Sequence, residues 1–344
     1  MTRPAPDRLR VASPGDLADI VPYLLGFHPR ESLVALALRR PAREVACTLR
    51  LDLPHPDDTA AAADSVAYYL VQARAERAVL LVYANRGEPA GELPHRDLVD
   101  AVTHSLAARK VAVVDALQVS DRRWRSYICT DPLCCPAEGT ALAPAGSSVV
   151  AAAATYAGLV ALPSRDSVER SLDPLPPASQ APRLVLDAAR AQAAERMADP
   201  AGARALRAEW LALLEEALDT GITPPDDRAA QLVLGAADPS VRDACCAWAR
   251  SGRADAGLRL WIHLARWAVS PYDAAPLFMV GWFAYLDGNA TLASMAIARC
   301  LRSDPGHRFA RLLEQALAGG LDPALVAADV VADAHRSRSR RRRR

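Results

Sequence analysis

Residues 78–119 read AVLLVYANRGEPAGELPHRDLVDAVTHSLAARKVAVVDALQV. The apolar run Ala78–Ala84 has no alternation, which fits a strand buried on both faces, and Asn85-Arg86-Gly87 after it is a turn signal. Leu93–Arg109 has the pattern of an amphipathic helix, and Val111–Val119 reads as a further strand. A strand–helix–strand order with buried strands predicts a partly parallel sheet under helical cover.

The same pattern extends toward the N-terminus. Asp57–Arg77 reads as an alanine-rich helix. Before it, Val45–Leu53 alternates, with Val45, Cys47, Leu49, Leu51 and Leu53 on one side and Thr48, Arg50 and Asp52 on the other. Pro54 and Pro56 end that strand. Leu33–Leu38 is another continuous apolar strand. Ser13-Pro14-Gly15-Asp16 opens a helix, with Ser13 as cap, Pro14 at the first turn and Gly26 as the stop. The expected order is β-β-α-β-α-β. Toward the C-terminus, Trp124–Cys129 is readable as one more short strand, and Ser147–Leu162 as a helix. The apolar run Val149–Leu162 is too short for a membrane span, which needs roughly 20 residues.

No strand is expected beyond Pro163. Pro174–Pro182 resembles a linker, so the chain is expected to divide into an α/β domain (1–162), a linker (163–182), a helical domain (183–335) and an arginine tail (336–344). Helices are predicted at 183–197, 201–218, 226–235, 240–250, 254–268, 275–286, 290–302, 307–318 and 323–334. Trp248 and Trp282 are 34 residues apart, as are Pro271 and Pro305, the period of tetratricopeptide hairpins. Gly281 and Ala293 are small enough to let two helices cross closely. A generic α-hairpin bundle uses the same contacts. The fold class is therefore α/β, followed by an all-α hairpin region open to either description.

Composition agrees. The 344 residues are 51% hydrophobic and 24% charged, and only 5% aromatic. Alanine and leucine supply the apolar volume and favour helix. Net charge is +1, of which Arg336, Arg338, Arg340, Arg341, Arg342, Arg343 and Arg344 contribute seven, so the body stands at −6. The tail reads as disordered, with weak, non-specific, salt-sensitive attraction to nucleic acid and no sequence readout. Seven cysteines and no visible export signal favour free thiols in a cytoplasmic protein with no membrane span.

Glycine-rich phosphate loops, His-Glu-x-x-His and Gly-x-Ser-x-Gly are absent from the sequence, and a single lysine, Lys110, argues against Schiff-base chemistry. Two polar segments stand out. In the first, His28, Glu31 and Ser32 lie between an apolar helix and an apolar strand. They are candidate catalytic residues, and the alternative is a capped, exposed turn. In the second, Asp121–Thr140, Tyr127 and Cys129 are further catalytic candidates. Arg123, Trp124 and Arg125 are candidate ligand-binding residues, together with Arg50 and Asp52. Cys129, Cys134 and Cys135 are weak metal candidates, because adjacent cysteines do not easily chelate one ion and no fourth ligand is nearby in sequence. Buried, inert thiols are the preferred reading. No cofactor follows from the sequence.

LLGFHPRESLV (24–34), RLDLP (50–54) and RWRSYICTDPLCCPAEGT (123–140) together resemble the actinobacterial domain-of-unknown-function 4192 family. The likeness extends over residues 9–325, including Asp304-Pro305. It implies an intact, soluble bacterial protein and carries no activity or catalytic residue with it.

Function is expected to be that of a non-enzymatic interaction or regulatory protein, with a ligand- or partner-binding α/β domain and a protein-binding helical region. The alternatives are an enzyme using the His28–Ser32 and Arg122–Cys135 loops, and a nucleic-acid-associated protein acting through the tail. The two loops are expected to meet at one end of the sheet, provided strand Leu33–Leu38 runs antiparallel to Val111–Val119.

Overall fold

The computed structural model describes residues 13–39, 44–84, 93–144, 146–175, 181–221 and 225–326. The turn at Asn85-Arg86-Gly87, residues 327–334 of the helix expected at 323–334 and the tail Arg336–Arg344 lie outside the described residues. The chain divides into two compact units, Met1–Val168 and Glu169–Arg344.

The first unit begins with α1 (Pro14–Leu25). Asp16 N donates to Ser13 Oγ and Ser13 N to Asp16 Oδ2, both at 3.1 Å, a reciprocal capping box. Gly26, at φ 81°, ends the helix in the left-handed region. There follow β1 (Ser32–Arg39), β2 (Glu44–Asp52), α2 (Thr59–Gln72), β3 (Arg77–Tyr83), α3 (Arg96–Ala108), β4 (Ala112–Ser120), β5 (Arg123–Ser126), β6 (Thr140–Ala141) and α4 (Val149–Tyr156). The six strands form one mixed sheet in the order β2-β1-β3-β4-β5-β6. Strands β3 and β4 are parallel, joined through α3, and the other neighbours are antiparallel.

Side-chain alternation divides the sheet between two layers. Leu33, Ala35 and Ala37 of β1, and Ala78, Leu80 and Val82 of β3, pack with Val66 and Leu70 of α2 and Val102 and Leu106 of α3. Val34, Leu36 and Leu81 point to the other face and are 0% exposed. On that face Tyr83 OH donates to Ala18 O of α1 at 3.2 Å. Both faces are covered, so the central strands carry no polar alternation. The alternation expected for β2 holds for Cys47, Leu49, Leu51 and Leu53. It fails at Val45, which is 39% exposed, because a bulge shifts the register between Ala37 and Leu38.

Two boundaries differ from expectation. The helix expected over Ser147–Leu162 ends at Tyr156, and Gly158 takes φ 81°. Leu162 then returns beside Phe27: His28 N donates to Leu162 O at 2.9 Å and Leu162 N to Gly26 O at 2.8 Å. The expected linker starts as a helix, α5 (Arg165–Arg170). Residues 169–175 are tied to the second unit, because Leu172 is 1% exposed, Arg266 Nε donates to Asp173 O at 2.9 Å and Leu175 N donates to Arg266 O at 2.9 Å. Buried Leu172 outweighs the nearby prolines; residues 176–180 lie outside the described residues.

Among the described residues the second unit is entirely helical: α6 (Ala181–Met197), α7 (Pro200–Thr220), α8 (Asp226–Ala237), α9 (Pro239–Cys246), α10 (Ala254–Trp267), α11 (Ala274–Leu286), α12 (Ala290–Ser303) and α13 (Arg308–Ala318). Helix α11 is buried along nearly its whole length, which is why it is apolar all round. A Cβ at Gly281 would lie 2.6 Å from Ile297 Cδ1, so the absent side chain is what lets α11 and α12 meet. This contact is common to tetratricopeptide units and to other α-hairpins, and the two descriptions remain equivalent here.

Gly257 of α10 is still tighter, since a Cβ there would lie 2.3 Å from Phe283 Cε1. In an open helix Gly→Ala gains about 1 kcal/mol, but overpacking a core costs about 1–3 kcal/mol. Phe283 is 2% exposed and has little room to move, so the clash decides the sign. Gly257→Ala is expected to lower the urea midpoint of unfolding. A raised midpoint would show that the Phe283 ring is free to shift.

Candidate functional site

Strand β1 is antiparallel to β3, and β3 is parallel to β4. The chain entering β1 therefore lies where β3 and β4 end, the edge at which α/β sheets gather ligands. There, a cavity of about 300 Å³ is lined by Asp19, Tyr23, His28, Arg30, Tyr83 and Arg122, among others. Each is placed by a local device. Asp19 and Tyr23 are four residues apart on one side of α1, and His28 is fixed by the bond of its backbone to Leu162.

Arg122 stands at the tip of the β4–β5 hairpin. Ser120 pairs with Arg123, leaving Asp121 and Arg122 as a two-residue loop with φ of 44° and 60°. Positive φ at both positions defines a type I′ turn, where the second position favours glycine. An L-residue in this conformation costs roughly 1–2 kcal/mol. Here arginine occupies it and faces the cavity.

Among the described residues neither Arg30 nor Arg122 makes an ion pair. Partial burial, then Arg122 and Arg30, hold the His28 imidazole below its ordinary value of 6.5. Burial raises the Asp19 carboxyl above its ordinary value, with Asp16 adding to the rise, while a hydrogen bond with Ser148 and the charge of Arg122 oppose it. Ser148 is also the cap of α4, its Oγ accepting from Ala151 N at 3.1 Å. Burial, followed by the nearby Asp19, pushes the Tyr83 phenol well above its ordinary range. The cavity thus presents two arginines without an ion pair among the described residues, an imidazole held toward its neutral form, the Asp19 carboxyl held toward its neutral form, and Asp121.

The remaining sequence candidates lie elsewhere. Ser32 is 0% exposed, and its Oγ donates to Arg30 O at 2.6 Å and accepts from Arg50 Nε at 2.9 Å, which makes it an anchor for the His28 loop. Arg50 also pairs with Asp52 on the edge strand. Glu31 takes φ 43°, and its carbonyl accepts from Leu53 N at 3.0 Å.

The short strand expected at Trp124–Cys129 forms as β5, and because it runs antiparallel to β4 it carries the polar residues after Arg122 away from the cavity, where they were expected to line the sheet edge. Ser126 already pairs with Leu117, and Tyr127 N donates to Ala116 O at 2.8 Å. Arg123 holds the carbonyls of Glu138 and Gly139, both at 2.7 Å. Trp124 is buried beside Gly15, and Arg125 Nε donates to Gln118 Oε1 at 3.0 Å. Tyr127 is 7% exposed, with its hydroxyl donating to Pro94 O at 2.5 Å and Arg96 over its ring. Of residues 122–135, Arg122 alone lines the cavity.

Cys129, Cys134 and Cys135 form a separate group, with all three sulfurs within 4.8 Å of one another. Contact with the Asp131 amide and with the Cys135 and Cys134 thiols lowers the Cys129 thiol, while burial and its two neighbours push Cys135 up to about 12. Buried Cys245 and Cys246 are thiols raised by burial, as inert core cysteines are.

Asp19 and Tyr83 were not legible as site residues. The only signal for Asp19 was a charged side chain flanked by Ala18 and Ile20, both of which are buried.

Fold and site together define a two-unit protein: a mixed α/β unit with a cavity lined by Arg30, Arg122, His28, Asp19 and Asp121 at the carboxyl edge of its parallel strands, and a helical-hairpin unit. The chain belongs to the family described as Domain of unknown function (DUF4192), whose model matches residues 14–324. No curated protein and no solved structure matches it. No helix among the described residues is long and apolar enough to cross a membrane.

Proposed function

We propose that the α/β unit is a binding module for a small molecule carrying an anionic group, within a cytoplasmic interaction or regulatory protein whose helical unit contacts a protein partner. The observation that carries this reading is the placement of Arg30 and Arg122, without ion-pair partners among the described residues, on one cavity of about 300 Å³. That volume is at the lower end of small-molecule sites, roughly 300–1,000 Å³. It fits a compact metabolite rather than a peptide.

Of the titratable groups that line the cavity, His28 and Asp19 give binding the same pH dependence. Protonating His28 adds a cation and protonating Asp19 removes an anion, so affinity for an anion rises as pH falls. The His28 contribution appears as pH drops through and below 6.5, because its pKa is depressed in the free protein. Calorimetric titration of the full chain with inorganic phosphate, a nucleoside monophosphate, a sugar phosphate and a dicarboxylate tests the reading. At least one should bind, less tightly as salt is added; once the ligand's own second ionisation at about pH 6–7 is allowed for, affinity should be higher at about pH 6 than at about pH 8. Anion affinity that is flat with pH and salt would contradict it.

A second reading, an acid–base enzyme, is supported by Asp19 and His28 sharing the cavity with pKa values moved toward each other. The two differ in one outcome. His28→Gln would spare ligand binding at about pH 8 in both, and would abolish turnover only in the second.

A further inference from the structure

The cysteine group is independent of the anion cavity. Three features of its loop bring the sulfurs together. Ser126 Oγ accepts from Ile128 N at 3.1 Å and from Cys129 N at 2.9 Å, turning the chain sharply as β5 ends. Asp131 O accepts from both Cys134 N, at 3.1 Å, and Cys135 N, at 2.7 Å, winding residues 131–135 into a helical turn. Asp131 Oδ1 accepts from Leu133 N at 2.9 Å and closes the start of that turn. In an extended strand Cys134 and Cys135 would project to opposite sides. In this turn both project toward Cys129.

We propose that Cys129, Cys134 and Cys135 form a three-thiolate site for a thiophilic divalent cation, with zinc as the ion to test. A tetrahedral zinc with Zn–S bonds of about 2.3 Å needs its sulfurs about 3.8 Å apart. The three sulfurs, within 4.8 Å of one another, approach that triangle without a change in the fold. Three protein thiolates are one ligand short of a closed structural site, which leaves the fourth position to water or to an exogenous donor. Cys134 is exposed and Cys129 and Cys135 are partly exposed, so an ion can enter from solvent. Leu133, at 96% exposed, projects outward from the same turn, so the turn has no apolar anchor there and depends on its polar contacts. A bound ion would hold it together.

The test uses the full chain, reduced and freed of metal. Zinc is titrated in competition with a chromophoric chelator, and cobalt is substituted to read thiolate-to-metal charge transfer. One zinc should bind per chain. The cobalt charge-transfer band should fall by about a third in each of Cys129→Ser, Cys134→Ser and Cys135→Ser, since its intensity follows the number of thiolate ligands. Each variant should also lose at least about tenfold in zinc affinity, the lower bound seen even for outer-shell changes at metal sites. Cys47→Ala, on β2, should bind as the unmodified chain does. Zinc should in addition protect three thiols from alkylation. Circular dichroism of each variant separates loss of the site from loss of folding. The proposal is overturned if the triple serine variant, folded, binds zinc as tightly as the unmodified chain. It is equally overturned if the cobalt complex lacks a thiolate band, or if zinc protects no thiol.

Discussion

Arg122→Gly is expected to abolish most anion binding while leaving the protein as stable as before, or more stable. The two effects come from different atoms. The guanidinium is one of two cations on the cavity that lack an ion pair among the described residues, and a charge-assisted contact is worth about 1.5–3 kcal/mol. Its loss weakens affinity by roughly 10- to 100-fold. The backbone effect has the opposite sign. At φ 60° an arginine carries a conformational cost that glycine does not, partly offset by the greater chain entropy that glycine loses on folding. The net change in stability is a gain between zero and about 1 kcal/mol. A stability gain paired with a functional loss is the signature of a residue retained for binding at a strained position. Calorimetry and thermal unfolding on the same sample separate the two effects. A destabilised variant with unchanged affinity would make Arg122 a structural residue of the hairpin and remove it from the site.

The largest expected loss of stability is at Trp261. It is 0% exposed and meets Phe283 edge-on, with ring centroids 6.4 Å apart, where Gly257 lets α10 approach α11. Trp261→Ala leaves a cavity among side chains that cannot collapse into it, at a cost of about 3–5 kcal/mol. That is a large fraction of the 5–15 kcal/mol typical of a whole domain. Trp261→Phe is expected to cost far less. It keeps most of the apolar volume and removes an indole N–H that has no hydrogen-bond partner among the described residues. Urea unfolding followed by circular dichroism gives both numbers. An alanine variant within about 1 kcal/mol of the unmodified chain would mean that α10 and α11 do not pack as described.

The parts of the fold that were legible share a local cause. The Ser13–Asp16 box, the double-sided apolar runs of β1 and β3, and the helical period of α3 all follow from residues within one turn or one strand. Hairpin β4–β5 was harder to read, for two reasons. Its turn is Asp-Arg where the favoured pair is Asn-Gly or Asp-Gly, and the four residues of β5 include two arginines and bury one side chain, Trp124. The early end of α4 is local, set by Gly158 at φ 81°; what could not be read is that Leu162 then pairs with Phe27, a contact across 135 residues of sequence. His28, which lines the candidate cavity, was legible, because polar residues between two apolar elements are conspicuous. Asp19 was not legible, because its position on α1 matters only once α4 and the β4–β5 turn are in place. The cysteines mislead in the other direction. Adjacency in sequence argued against joint ligation, and one helical turn reverses that argument.

An anion bound between His28, Arg30 and Arg122 must be felt by the His28 ring protons, which NMR follows while an anionic ligand found by calorimetry is added. The resonances are expected to shift saturably at the calorimetric Kd. The His28 pKa is expected to rise on binding, as the bound charge offsets Arg122 and Arg30, which add to the depression caused by burial. A ligand that saturates the protein while the His28 resonances and pKa stay where they were would place the binding site elsewhere.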